Sequence, residues 1–115
     1  ADQKVLGILH ANCGHCHNQR RPQHAGARCY DPQNDIELSL GAASLASFAQ
    51  TGLARTVVGK HIKPGRPQES SLYKLYTHRG PPGLFGPSQM PPLATKEVDR
   101  VSARILEDWI TALPE

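Results

Sequence analysis

The sequence predicts an all-α fold whose helices are joined by long loops. Apolar residues recur every three or four positions in three or four segments, which is the spacing of an amphipathic helix. The ten prolines and ten glycines are concentrated between residues 59 and 92, where they mark turns and irregular backbone. A chain of 115 residues normally folds around one core, so we expect residues 1–115 to form a single domain.

The first helix is predicted over residues 2–12, with Asp2 as its N-cap, and it leads directly into Cys13. Its apolar face carries Val5, Leu6, Ile8 and Leu9. Residues 18–34 show no helical period and contain prolines and a glycine, so they are predicted to form a long loop. Residues 36–40 alternate apolar and polar side chains, as a short strand does.

Three later segments also have helical patterns. Residues 44–53 are predicted to form a short helix capped by Ser44. Residues 70–80 begin with serines and end at a glycine followed by two prolines. Residues 95–115 give the clearest pattern, with Thr95 as the expected cap. The apolar face of the helix at residues 70–80 is predicted to carry Leu72, Leu75 and Tyr76. That of the helix at residues 95–115 is predicted to carry Val98, Val101, Ile105, Trp109 and Leu113.

Composition narrows the possible functions. A net charge of +3 and a pI near 8.9, with scattered basic residues, do not indicate a nucleic-acid-binding protein. No apolar run approaches the roughly 20 residues of a membrane span. No leader sequence precedes Ala1, so we expect a mature protein or a domain of a larger polypeptide. Two Phe, one Trp and three Tyr are few large side chains for a core, which suggests that another group fills it.

The motif Asn-Cys-Gly-His-Cys-His at residues 12–17 explains this shortage of core side chains. Cys-x-x-Cys-His is the attachment signature of c-type haem. Two thiols form thioethers with the porphyrin, and the adjacent imidazole coordinates iron from one side. The sequence therefore predicts one haem c, attached through Cys13 and Cys16 and coordinated by His17. The long loops would then wrap around this apolar cofactor.

Two other functions of the cysteine pair, zinc binding and thiol redox chemistry, have less support from the sequence. A zinc site normally has a second pair of ligands at tight spacing, and Cys29, the third cysteine, has no such neighbour. A thioredoxin-like redox pair belongs to a βαβ pattern, whereas Cys13 and Cys16 follow a helix. Haem attachment is therefore the favoured interpretation. Cys29 is then left over, either as a buried small side chain, as a free thiol or in an intermolecular disulfide.

These features resemble the class I c-type cytochromes. The resemblance consists of a helix leading into CGHCH, a terminal amphipathic helix containing Trp109, and a methionine in the loop before that helix. It covers nearly the whole chain, and residues 64–92 are also similar to monohaem cytochrome c domains fused to periplasmic oxidoreductases. The resemblance implies a cytochrome c fold, with three to four helices and long loops around one covalently bound haem.

The second axial ligand is predicted to be Met90, the only methionine in the chain. It lies in the loop where the resembled family takes its sixth ligand, and the two following prolines restrict the backbone beside it. His61 and His78 are the rival ligands, since either would give a bis-histidine haem. The remaining histidines, His10, His15 and His24, are weaker candidates. Methionine ligation raises the reduction potential relative to a second histidine.

Several other residues are expected to support the haem. The second ring nitrogen of His17 should donate to a backbone carbonyl. The resemblance implies that this carbonyl lies in the downstream loop, at Pro22 or Pro32. The haem propionates need charged or hydrogen-bonding partners, for which the candidates are Lys60, Lys63, Arg66, Arg79, Tyr73 and Tyr76.

The predicted function is one-electron transfer, by a soluble carrier or an electron-transfer domain of a larger periplasmic oxidoreductase. On this interpretation the chain is not itself an enzyme, and its partner is a redox protein or a fused enzyme domain. Covalent haem attachment places it in the periplasm or another extracytoplasmic compartment. The alternative is a haem peroxidase or gas-sensing module with a displaceable sixth ligand. No His/Arg pair at a recognisable spacing supports a peroxidase.

Overall fold

The computed structural model describes residues 2–20, 35–80, 89–90 and 96–115. These ranges contain three α-helices: α1 (Asp2–Cys13), α2 (Ser71–Thr77) and α3 (Arg100–Ala112). Short helical turns also occur, of the 3₁₀ type at Ala42–Ser44, Phe48–Gln50 and Pro67–Glu69, and of the π type at Leu53–Val57. The all-α prediction is confirmed for the described ranges, which contain no strand and only one isolated bridge, between Val58 and Ile62.

Two of the predicted elements are wrong. Residues 36–40 do not form a strand: they are irregular, and several of their amides donate to His10, His17 and Thr56 rather than to a neighbouring strand. The helix predicted over residues 44–53 is replaced by separate 3₁₀ turns, because the backbone is extended at Ser47 and Thr51. None of the described helices could cross a lipid bilayer, because none is both long and apolar enough.

The chain divides into two compact units. The N-terminal unit comprises Leu6–Val57, and the C-terminal unit comprises Ala1–Val5 together with Val58–Glu115. The buried apolar side chains of the N-terminal unit are Leu9, Leu38, Leu53 and Val57. Those of the C-terminal unit are Val5, Ile62, Tyr73, Tyr76, Ala103, Leu106, Trp109 and Ile110. Of the buried apolar side chains in the described ranges, most therefore belong to the C-terminal unit.

Helix α1 ends where the sequence predicts, but Asp2 is its first residue and not its cap. The Asp2 carboxylate instead accepts a hydrogen bond from Nε1 of Trp109, at 2.8 Å, within the C-terminal unit. Val5 and Leu9 are buried on the predicted apolar face, one turn apart.

Helix α3 begins at Arg100, so its cap is Asp99 and not Thr95. Asp99 Oδ1 accepts hydrogen bonds from the amides of Val101 and Ser102, each at 3.1 Å. The buried residues of α3 are Ala103, Leu106, Trp109 and Ile110, whereas Val101 is 73% exposed. The buried face is thus rotated by about 90° from the predicted one, and only Trp109 belongs to both.

Helix α2 packs against α3 and against the 3₁₀ turn before it. Its buried residues are Tyr73 and Tyr76. The hydroxyl of Tyr73 donates to Glu107 Oε2 across the two helices, at 3.0 Å. Burial and this hydrogen bond raise the pKa of Tyr73. A backbone hydrogen bond within the C-terminal unit also links the loop before α2 to α3: the amide of Gly65 donates to the carbonyl of Ile110 at 2.8 Å.

Candidate haem-attachment site

The attachment turn follows α1 directly, and we use this name for residues 13–17. The amides of Cys16 and His17 both donate to the carbonyl of Cys13, at 3.1 and 2.8 Å. These bonds span three and four residues, so Cys13, Cys16 and His17 leave the backbone within a single turn.

Gly14 is buried at the start of the turn, and sequence analysis did not identify its role. Its amide donates to the carbonyls of Leu9 and His10, each at 3.1 Å. A Cβ atom at this position would lie 2.7 Å from the carbonyl oxygen of His10 and 3.1 Å from that of Leu38. Because both neighbours are backbone atoms, a larger side chain does not fit without moving the turn.

Residues 35–40 hold the attachment turn in place. The amide of Leu38 donates to the carbonyl of His17, at 2.8 Å. The Glu37 carboxylate accepts from the amides of Gln19 and Ser39, at 2.9 and 3.1 Å. These bonds fix the backbone of His17 from a segment about twenty residues away. The sequence indicates them only weakly, through one acidic residue, Glu37, within an apolar run.

The same segment is anchored to the second half of the N-terminal unit. The amide of Glu37 donates to Thr56 Oγ1 at 3.0 Å, and Thr56 Oγ1 donates in turn to the carbonyl of Gly52 at 2.7 Å. Gly52 is buried directly against the backbone of Glu37, so a Cβ there would overlap it. The π-helical turn therefore supports the segment that supports His17.

Neither cysteine of the turn is in a disulfide. Cys13 is half-buried and Cys16 is exposed. Burial, with a smaller contribution from the charge of Cys16, raises the pKa of the Cys13 thiol to about 11. Reactive redox thiols have the opposite shift, since they must be thiolates near neutral pH. Among the described residues, no group of three or more His, Cys, Asp or Glu side chains could hold a metal ion.

His17 is half-buried, and its Nδ1 atom is completely shielded. The prolines predicted to supply its second-sphere carbonyl, Pro22 and Pro32, lie outside the described residues, as do Cys29 and His24.

Met90 belongs to the C-terminal unit and is half-buried. Its amide donates to the carbonyl of Leu75 on α2, at 2.9 Å. The preceding residue, Gln89, is buried and accepts a hydrogen bond from the amide of Gly80 at 3.0 Å. These bonds fix the backbone of Met90 on α2, although Pro91 and Pro92 lie outside the described ranges.

The rival histidines differ in their surroundings. Nδ1 of His10 accepts a hydrogen bond from the amide of Leu40, at 3.0 Å, so that nitrogen has no lone pair to offer a metal. His15 and His78 are exposed. His61 is half-buried, with its Nδ1 3.5 Å from Ser71 Oγ.

Three of the predicted propionate partners are bonded to protein carboxylates. Lys63 pairs with Glu69 at 3.5 Å. Arg66 pairs with Glu69 at 3.7 Å and with Glu115 at 3.3 Å. The third is Tyr73, which donates to Glu107 as described above. Arg79 differs, because its buried Nε has no hydrogen-bond partner among the described residues.

No family model matches the chain, and neither a curated protein nor a solved structure matches it.

Proposed function

We propose that this protein transfers single electrons through one haem c, bound covalently by Cys13 and Cys16. The observation that carries the proposal is the attachment turn, in which the Cys-x-x-Cys-His residues share one backbone carbonyl as hydrogen-bond acceptor. His17 and Met90 are the proposed axial ligands. The haem supplies the one-electron chemistry, since its iron exchanges between ferric and ferrous states.

The described residues fit such a group. Both thiols are free, as thioether formation requires. The rigid turn orients them, because Gly14 is packed against backbone and Leu38 holds the carbonyl of His17. His17 would hold the iron through one nitrogen while its neighbours restrict rotation of the ring. Met90 would provide a thioether from a backbone fixed to α2.

The protein would act either as a free carrier or as a domain of a larger periplasmic oxidoreductase. Both use the same chemistry, and the proposed partner is a redox protein or an attached enzyme domain. The net charge of +3 is small, so long-range attraction contributes little to partner recognition. Contacts at short range would therefore decide which partner binds.

The proposal is tested by expressing the chain with a secretion leader in a host that matures c-type cytochromes. We expect a coloured protein whose mass exceeds that of the polypeptide by one haem, even after denaturation. The variant with Cys13→Ser and Cys16→Ser is the control and should lose the covalent haem. A colourless protein with the mass of the bare polypeptide would refute the proposal.

A second measurement separates electron transfer from the alternative function. Ferrous protein with His/Met ligation should not bind CO, because both axial positions are occupied. A charge-transfer band from methionine sulfur to ferric iron is expected in the oxidised protein. Ready CO binding by the unmodified protein would instead support a gas-sensing or peroxidase module with an open sixth position.

A further inference from the structure

The C-terminal unit contains a cavity of about 440 Å³ between the end of α2 and the start of α3. The residues that line it are Thr77, Arg79, Lys96, Glu97, Val98 and Arg100. Three of these carry positive charge and one carries negative charge, so the lining has an excess of two positive charges. Such an excess around a concave site favours an anion.

Arg79 is the fixed donor in this cavity. Its Nη1 donates to the carbonyls of Tyr76 and His78, at 2.9 and 2.7 Å, so one side of the guanidinium is held by the end of α2. Its Nε is buried and has no hydrogen-bond partner in the part of the chain that the structure describes. The described protein groups therefore leave part of the donor capacity of Arg79 unused.

The other basic residues of the lining are also available to a ligand. The ion pairs found between described residues involve Lys63, Arg66 and Arg104. None of these pairs includes Arg79, Lys96 or Arg100. Glu97, the only carboxylate of the lining, is exposed and forms no ion pair with them among the described residues.

We infer that this cavity binds a small oxyanion of the phosphate or carboxylate class, taken from solution. Arg79 is its central hydrogen-bond donor, since a guanidinium matches the spacing of two oxyanion oxygens. Lys96 and Arg100 add positive charge to the lining. The same chemistry could come from the propionates of the proposed haem, and the experiment distinguishes these two sources.

The test is a calorimetric titration of the secreted protein with sodium phosphate, with sodium chloride at equal ionic strength as the reference. We expect saturable binding of one phosphate. Arg79→Gln should weaken binding at least about tenfold, and Lys96→Gln should weaken it several-fold. Arg104→Gln is the matched control, because Arg104 is an exposed arginine of the same unit, paired with Asp108, and it should bind phosphate like the unmodified protein.

Lys96 is exposed, so Lys96→Gln remains informative even if Arg79→Gln does not fold. Absence of saturable phosphate binding, or binding that neither substitution changes, would overturn the inference. If the propionates fill the cavity, phosphate will not bind to haem-loaded protein while Arg79→Gln shifts the reduction potential. That result also overturns binding of a free oxyanion. Phosphate binding can be measured whether or not haem is attached, so absence of covalent haem would refute the proposed electron transfer without deciding this inference.

Discussion

Gly14 has no Cβ atom, so the attachment turn packs directly against the backbone of His10 and Leu38. In Gly14→Ala, the new methyl group meets the carbonyl oxygen of His10 at 2.7 Å, and the turn must move. We expect a loss of about 1–3 kcal/mol in the free energy of unfolding, measured by urea denaturation. Reduced haem incorporation should accompany this loss.

Gly7→Ala is the matched control for this substitution. Gly7 lies inside α1, is exposed, and would place a Cβ more than 4 Å from any described atom. Alanine there should stabilise the protein by about 0.5–1 kcal/mol, because glycine is a poor helix former. Equal changes in unfolding free energy for Gly14→Ala and Gly7→Ala would mean that backbone packing does not require glycine at position 14.

Met90→Ala tests the sixth ligand. Removing the thioether should open the iron to CO and lower the reduction potential, by on the order of 100 mV. His61→Ala and His78→Ala are the controls and should leave both properties unchanged. CO binding that appears only in one of the histidine variants would show that histidine, and not Met90, is the ligand.

At the candidate site, the haem-attachment role of Cys13, Cys16 and His17 stays a prediction, which rests on the spacing that a porphyrin requires. The support from Glu37 and Leu38 was not predictable, because a hydrogen bond between residues about twenty positions apart leaves no local pattern. Gly14 stands inside the motif and could have been noted from the sequence. Only the structure shows that glycine is required there, because backbone atoms pack against it.

At the level of elements, Ser70 joins the start of α2 to the preceding loop. Its side chain is completely buried: Oγ accepts from the amide of Lys63 and donates to the carbonyl of Arg66, each at 2.9 Å. Ser70→Ala should therefore cost about 1–3 kcal/mol in unfolding free energy, since both backbone groups lose their partner. The exposed neighbour provides the control, and Ser71→Ala should change this value by less than about 0.5 kcal/mol.

The cap of α3 makes stability depend on pH. Hydrogen bonds from Ser102, and from the amide of Val101, lower the pKa of Asp99 below its usual value. The ionised Asp99 carboxylate therefore contributes its full stabilisation of the fold above the unfolded-state pKa of about 3.9. This stabilisation is lost as the pH falls through the lower folded-state pKa. We expect Asp99→Ala to lower the Tm by a few degrees at pH 7, with the difference disappearing in acid.

Asp99→Asn separates the charge from the hydrogen bond at this cap. Asparagine keeps an oxygen acceptor for the helix amides but does not titrate. Its Tm at pH 7 should lie close to that of the unmodified protein, and its melting should lack the acid-dependent change. A Tm difference between Asp99→Ala and the unmodified protein that persists at pH 2 would contradict the role given to the carboxylate.

The three helices were predictable from sequence, but their details were not. The apolar residues of α3 outnumber those that one face can bury, so the pattern alone allows more than one face. Burial of Ala103 and Leu106 depends on what α3 packs against, which includes α2. The predicted strand failed because alternation indicates a strand only where a second strand is available for pairing, and residues 35–40 instead bond to the attachment turn.

For the whole molecule, the uneven distribution of buried side chains predicts an uneven dependence on the proposed haem. Among the described residues, four buried apolar side chains belong to the N-terminal unit and eight to the C-terminal unit. In the variant with Cys13→Ser and Cys16→Ser, amide exchange should accelerate about tenfold or more in the N-terminal unit. Amides of α3 should change much less.

Hydrogen exchange read by mass spectrometry distinguishes this outcome from general destabilisation. Met90→Ala provides the comparison, because it keeps the covalent attachment while removing the proposed second ligand. Equal acceleration in both units of the double serine variant would show that neither unit depends specifically on attachment. Unchanged exchange in residues 6–20 would contradict a structural role for the haem.

The bond between Trp109 and Asp2 joins residues from opposite ends of the chain. Because Trp109 is the only tryptophan, the protein contains a single strong intrinsic fluorophore, and its indole N–H is engaged by the amino-terminal turn. Fraying of that turn would expose the indole to solvent and shift its emission to longer wavelengths. In the variant with Cys13→Ser and Cys16→Ser, which lacks the haem that would otherwise quench the indole, fluorescence could therefore follow release of the amino terminus separately from loss of helix.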